Sequence, residues 1–130
     1  MIQITHFLHT AIVVTDLARS EHFYGTVLGL PKVERNLKFP GAWYEIAGIQ
    51  IHLMQAAVVD GAPELPVRSI PWAEKWGRNP HLALAVTDLA GVKATLDRAG
   101  YVYQMSASGR PALFVQDPDG HVIELGEVQN

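Results

Sequence analysis

The chain repeats itself. His-Thr-Ala-Ile-Val-Val-Thr-Asp-Leu-Ala from His9 to Ala18 returns as His-Leu-Ala-Leu-Ala-Val-Thr-Asp-Leu-Ala from His81 to Ala90, and Gly48–Leu53 returns as Gly120–Leu125 at the same 72-residue step. Two copies are too few for a solenoid and read as duplication of one supersecondary unit. Neither half should be stable alone, because a unit that small cannot bury its own apolar face. With 130 residues and 48% hydrophobic content the two together supply the core of one domain. The expected organisation is a single domain over 1–130, with module one at about 5–55, a linker at 56–80 and module two at 81–128.

Within each copy the pattern switches from period two to period three to four. Phe7–Val14 is apolar and β-branched and ends at Thr15-Asp16, an N-cap signal for a helix near 17–28 that Gly29 stops. Lys32–Leu37, Ala42–Ala47 and Ile49–Gln55 then read as strands divided by Pro40-Gly41 and Gly48. The second copy predicts strand His81–Val86, helix Leu89–Ala99 stopped by Gly100, and strands Tyr101–Met105, Ala112–Gln116 and Val122–Glu127. The turn Asp117-Pro118-Asp119-Gly120 separates the last two. The fold class is therefore α+β: two duplicated βαβββ modules, expected to form a cupped mixed-sheet barrel around a metal cavity. The intervening Ala56–Pro80, with four prolines and with Trp72 and Trp76, is expected to carry a short helix and to cover something.

Side chains alternate across a strand, so His9 shares a face with Ala11 and Val13, and His81 with Ala83 and Ala85. His52 shares one with Gln50 and Met54, and Glu124 points away from Ile123 and Leu125. All four fall on the face the helices leave uncovered. His9 and His52 are separated from His81 and Glu124 by the repeat step, so a local twofold arrangement of the modules would bring the four together. A carboxylate on an apolar face is costly unless paired or bound to a metal. Taken singly, each of these residues reads as an ordinary strand-end side chain; the shared offset and face make the set a metal candidate. Nitrogen and oxygen donors without sulfur suit one divalent ion, Zn, Ni, Mn, Co or Fe. His6, His22 and His121 lack such partners and read as structural or solvated.

A formal charge of −3 and an isoelectric point near 6.0 offer nothing to a phosphate backbone, so nucleic acid is excluded as a partner. The absence of cysteine removes disulfides, zinc-thiolate sites and a thiol nucleophile together. No run of about 18 apolar residues predicts a membrane span, and the expected location is the cytoplasm.

His9 with Val14-Thr15-Asp16-Leu17, Ser20 with Phe23-Tyr24 and Leu28-Gly29-Leu30, and Phe114 with Asp117-Pro118-Asp119-Gly120 and Ile123-Glu124-Leu125 resemble the vicinal oxygen chelate superfamily over nearly the whole chain. That group holds glyoxalase I, methylmalonyl-CoA epimerase, extradiol dioxygenases, fosfomycin-resistance enzymes and metal-free bleomycin-binding proteins. The resemblance implies ligands on the first and last strands of each module, at His9, His52, His81 and Glu124. His52 departs from the pattern, where glyoxalase I typically has Glu and the epimerase Gln, and this leaves Glu124 as the natural catalytic base. What the resemblance implies for function is a lyase or isomerase of the glyoxalase type, acting on a small molecule that offers a metal two adjacent oxygens. An extradiol dioxygenase, a metal-dependent antibiotic-resistance enzyme and a metal-free binding protein are the alternatives.

Arg110, in Ser-Gly-Arg-Pro before a strand, is placed to hold a substrate carboxylate or phosphate through its planar fork, or else to face solvent. Trp43, Trp76, Tyr103 and Phe114 are the remaining substrate-binding candidates, with Trp72 as a further lid residue; core packing is the competing reading of each. Gln50 and Gln116 are possible polar contacts. Exposed sheet edges and the habit of short chains in this superfamily predict a homodimer.

Overall fold

Asp16 and Asp88 begin the two helices in the same way. The Asp16 carboxylate accepts from the amide of Arg19 at 3.2 Å, and that of Asp88 from Gly91 at 3.0 Å. A second acceptor arrives from the last long strand of each module. Gln55 Oε1 takes the Leu17 amide at 2.8 Å, and Glu127 Oε1 takes the Leu89 amide at 2.9 Å. Two of the amides that a helix start leaves unsatisfied are thus met in each copy.

The computed structural model describes residues 1–64 and 68–129. It is α+β and divides into two compact units, Met1–Pro66 and Val67–Asn130. The first holds β1 (His9–Val14), α1 (Leu17–Glu21, continued by a π-helix over His22–Val27), β2 (Lys32–Val33), β3 (Gly41–Ile46) and β4 (Ile49–Gln55). Its sheet order is β1-β4-β3-β2, with β1 parallel to β4 and the other pairs antiparallel. A two-stranded hairpin, β5 (Val58–Val59) and β6 (Ala62–Pro63), follows. The second unit holds a 3-10 turn (Trp76–Arg78), β7 (His81–Val86), α2 (Leu89–Ala99), β8 (Tyr103–Met105), β9 (Ala112–Gln116) and β10 (Val122–Glu127), ordered β7-β10-β9-β8. Each unit is a βαβββ module built on a mixed sheet.

In each module the helix covers one sheet face. Ile12, Val14, Ile51 and Leu53 are buried with Phe23 and Tyr24 in the first, and Leu113, Val115, Ile123 and Leu125 with Leu89 and Leu96 in the second. On the opposite faces His9 and Ala11, and His81, Ala83 and Ala85, are exposed within their strands. The register repeats too: Ala11 pairs with His52, and Ala83 with Glu124.

The bounds of β4, β7, α2, β9 and β10 coincide with those the periodicity predicts. Elsewhere tertiary structure intervenes. The strand expected from Phe7 begins at His9, with Phe7 and Leu8 exposed. The strand expected over Lys32–Leu37 ends at Val33, and Arg35 leaves the sheet to lie over the Trp43 ring. Tyr101 does not join β8, because its amide is taken by Leu96 O at 2.9 Å, closing the helix over left-handed Gly100. The Asp117–Gly120 turn forms as expected: Asp117 Oδ1 accepts from Asp119 and His121, both at 2.9 Å. Gly120 sits at φ +88, and a Cβ there would collide with the Arg68 carbonyl.

Candidate functional site

Glu124 is the acidic residue that the second unit buries on its uncovered sheet face, 9% exposed on β10 with Ala83 and Phe114 beside it. Its Oε1 lies 3.4 Å from His81 Nε2 and 3.2 Å from Arg110 Nη2. His81 Nδ1 is 2.8 Å from the Asn79 carbonyl. A carbonyl only accepts, so Nδ1 carries a proton and Nε2 is the ring nitrogen turned toward Glu124. A backbone carbonyl holding one ring nitrogen so that the other can ligate is the usual support of a metal-binding histidine. Two donors each about 2.1 Å from a tetrahedral ion lie about 3.4 Å apart, so the spacing of this pair fits a shared ion.

The surroundings of Glu124 are small. Ala83, Ala85, Ala112 and Gly126 line a hollow of about 390 Å3 with Glu124 and Arg110. A Cβ on Gly126 would come within 3.7 Å of Glu124 Oε2, the oxygen not engaged by His81 or Arg110. Phe114 meets the His81 ring edge to face at 5.3 Å.

The first unit assembles its candidates differently. Arg35, Trp43, His52 and His9 form a column across the sheet: the guanidinium carbon lies 4.2 Å over the indole, the indole 3.8 Å from the His52 ring, and that ring 4.2 Å from His9. Strand pairing of Trp43 with His52 sets the middle of the stack. Burial, and then the neighbouring His9 and Arg35, hold the His52 imidazole below its ordinary pKa, so it is neutral at pH 7. His52 Nε2 lies 2.8 Å from Gln50 Oε1. The His9 and His52 planes are only 17° apart. Imidazole lone pairs lie in the ring plane, so these two run side by side, and a common ion would require one ring to turn. Trp43 Nε1 is buried without a hydrogen-bond partner.

The structure thus brings His81 to Glu124 and His9 to His52. Within neither unit do three His, Cys, Asp or Glu gather around one point among the described residues. Trp76 is spent on the core, 2% exposed against Phe114 and Val122. Tyr103, Phe114 and Arg110 line a second and larger cavity, together with Trp72. Sequence reasoning missed Asn79, whose part is played by its carbonyl and leaves no side-chain signal. It also missed Gln104, which clasps the connector. Gln104 Nε2 donates to Trp72 O and Glu74 O, both at 2.9 Å, and its Oε1 accepts the Trp76 amide at 3.0 Å. Gln116 makes a matching double contact to Ile70, at 2.7 and 3.0 Å.

Paired βαβββ modules that set histidine and carboxylate on their uncovered faces define the vicinal oxygen chelate class of fold. Residues 6–125 match the family model described as Glyoxalase/Bleomycin resistance protein/Dioxygenase superfamily, and the chain belongs to that family. It is 32% identical over 129 residues to lactoylglutathione lyase of Salmonella typhimurium, covering 95% of this chain and 93% of the relative. It is 29% identical over 134 residues to Glyoxylase I 4 of Arabidopsis thaliana, covering 95% and 71%. Among solved structures, a glyoxalase-family protein from Bacillus anthracis superposes with a TM-score of 0.73 at 20% identity over 99% of both chains. No helix among the described residues is long and apolar enough to cross a membrane.

Proposed function

We propose that the protein is a metal-dependent lyase or isomerase of the glyoxalase type, acting on a small molecule with two adjacent oxygens. The observation that carries this reading is the His81–Glu124 pair, with the imidazole oriented by the Asn79 carbonyl so that Nε2 faces a buried carboxylate 3.4 Å away. Likeness to a lactoylglutathione lyase along nearly the full length of both chains supports the same class of reaction. His81 and Glu124 of the second unit, with His9 and His52 of the first, are the proposed ligands of one divalent ion, Zn, Ni, Mn, Co or Fe. The chemistry such an ion supplies is Lewis-acid stabilisation of the negative charge that develops on a substrate oxygen.

Glu124 is the proposed base. Its Oε1 faces His81 and accepts from Arg110, which leaves Oε2 beside Gly126 and the hollow to take a proton from the carbon next to a carbonyl and return it to the neighbouring carbon. Arg110, Trp43, Tyr103 and Phe114 are proposed to contact substrate, and Trp76 to act through the wall it supports. A single working domain, a homodimer and a cytoplasmic location belong to the same proposal; light scattering tests the dimer. The decisive experiment is metal analysis of the purified protein beside His9→Ala and Glu124→Ala, followed by assay on the methylglyoxal–glutathione hemithioacetal with each ion. Loss of metal in the variants and ion-dependent turnover by the parent are expected. Metal retained by both variants would overturn the reading in favour of a binding protein.

A further inference from the structure

The second unit contains a cavity of about 630 Å3 whose charge opposes that of the chain. One wall is the connector from Trp72 to Arg78, the other is the β8–β9 turn from Tyr103 to Arg110, and Phe114 lies between them. Lys75, Arg78 and Arg110 line it against a single acid, Glu74, in a protein whose formal charge is −3. Among the described residues neither Lys75 nor Arg78 has a carboxylate within 4.0 Å, although acids outnumber Lys and Arg by 13 to 10 over the chain. Hydroxyls of Ser106 and Ser108 complete the lining, 2.9 Å apart.

The cavity is built rather than incidental. Gln104 fixes the connector backbone at Trp72, Glu74 and Trp76, so Lys75 is carried on a segment clasped on both sides. Gly77 lets that segment lie on Phe114, since a Cβ there would stand only 2.6 Å from the ring. Arg110 is shared with the first hollow: its Nε reaches Ser108 Oγ at 3.3 Å and its Nη2 reaches Glu124 at 3.2 Å.

We infer that this cavity is an anion-binding site for the phosphate or carboxylate group of a small molecule, recognised by Lys75, Arg78 and Arg110. Lys75 and Arg78, unpaired on a fixed wall, can bind such oxygens through charge-assisted hydrogen bonds without first breaking an ion pair, whereas Arg110 is shared with Glu124. Arg110 makes the site responsive. An anion that draws Arg110 away uncovers Glu124, and a cation bound by Glu124 releases Arg110 to the anion, so each ligand strengthens the other. The site itself stands on the geometry of the second unit; that it receives one end of the substrate rests on the proposed function.

The test is titration of the full-length protein with inorganic phosphate and, separately, with succinate, followed by calorimetry. Saturable binding of either anion is expected, and which binds tighter decides between a phosphate and a carboxylate. K75A/R78A should weaken it about tenfold or more. Glu74→Gln should strengthen it, a sign that general damage to the fold does not produce. Loading the parent with Ni2+ or Zn2+ should raise phosphate affinity severalfold, and Arg110→Gln should abolish that gain. No saturable binding of either anion, or affinity unchanged in K75A/R78A, would overturn the site. Binding without any metal uptake by the parent would overturn the proposed function and leave the site standing.

Discussion

The two units share a scaffold and differ in what they lay on it. Asp16 with Gln55 and Asp88 with Glu127 start equivalent helices, and His52 and Glu124 occupy equivalent rungs of equivalent strand pairs. The uncovered faces have diverged. In the first, a column of rings and a guanidinium surrounds His52, and Gln50 sits at the rung below. In the second, the rung matching Gln50 is Val122, roofed by Trp76, and the carboxylate next to it is left to His81 and Arg110. Backbone hydrogen bonds and helix burial constrain one side of each sheet, and the other side is free to acquire chemistry. The helices differ as well. α2 is regular, whereas α1 widens to a π-helix, with the Leu28 amide reaching Phe23 O at 2.9 Å.

The comparison is broken most severely at Glu124. Glu124→Gln keeps the shape but removes the proposed base and proposed charged ligand, and turnover should fall by about 10²–10⁴; steady-state kinetics at matched metal occupancy measure it. Next is the Trp76 roof of the second unit. Trp76→Ala should cost about 3–5 kcal/mol in urea unfolding, and a loss below about 1 kcal/mol would show that the connector is not part of the second core. The shared capping scheme sharpens the comparison at a smaller scale. Gln55→Ala and Glu127→Ala should each cost about 1 kcal/mol, and a marked inequality would mean that the duplicated caps are no longer equivalent.

The last effect is confined to alkaline pH and vanishes near neutrality. Burial, and then the Glu21 charge, push the Tyr44 phenol up to about 12. The unfolded chain ionises this group near its ordinary value of about 10, so it releases the proton first. The folded state therefore loses stability as pH rises through about 10 and stops losing it near 12. Tyr44→Phe should flatten that part of the profile, read from denaturation midpoints across this window.

Sequence periodicity located the elements whose ends are set locally. α2 ends where Gly100 adopts φ +81, and β9 and β10 are bounded by the Asp117–Gly120 turn. It overran where a distant partner decides, as at Arg35, which leaves the sheet for Trp43, and at Tyr101, whose amide belongs to the helix end. The β5–β6 hairpin was legible and overlooked: Asp60-Gly61, at φ +53 and +78, is a strong hairpin signal between Val58-Val59 and Ala62. The π-helix had no such marker in the apolar spacing. At the site, repeat arithmetic named the residues that pair up within each unit. It could not give the stacked orientation of His9 and His52, which follows from Trp43 on a neighbouring strand. Nor could it find Lys75 and Arg78, whose meaning depends on the connector being clasped by Gln104.

Gly126 has a consequence for how this chain can change. The space beside Glu124 Oε2 exists because a hydrogen stands there instead of a methyl group. Molecular size at the carboxylate is therefore gated by a vacancy on the adjacent rungs, at Gly126, Ala112, Ala83 and Ala85. Adding one carbon at any of these narrows the hollow while leaving the carboxylate itself intact, so, on the proposed function, selectivity can drift by single steps with Glu124 held constant.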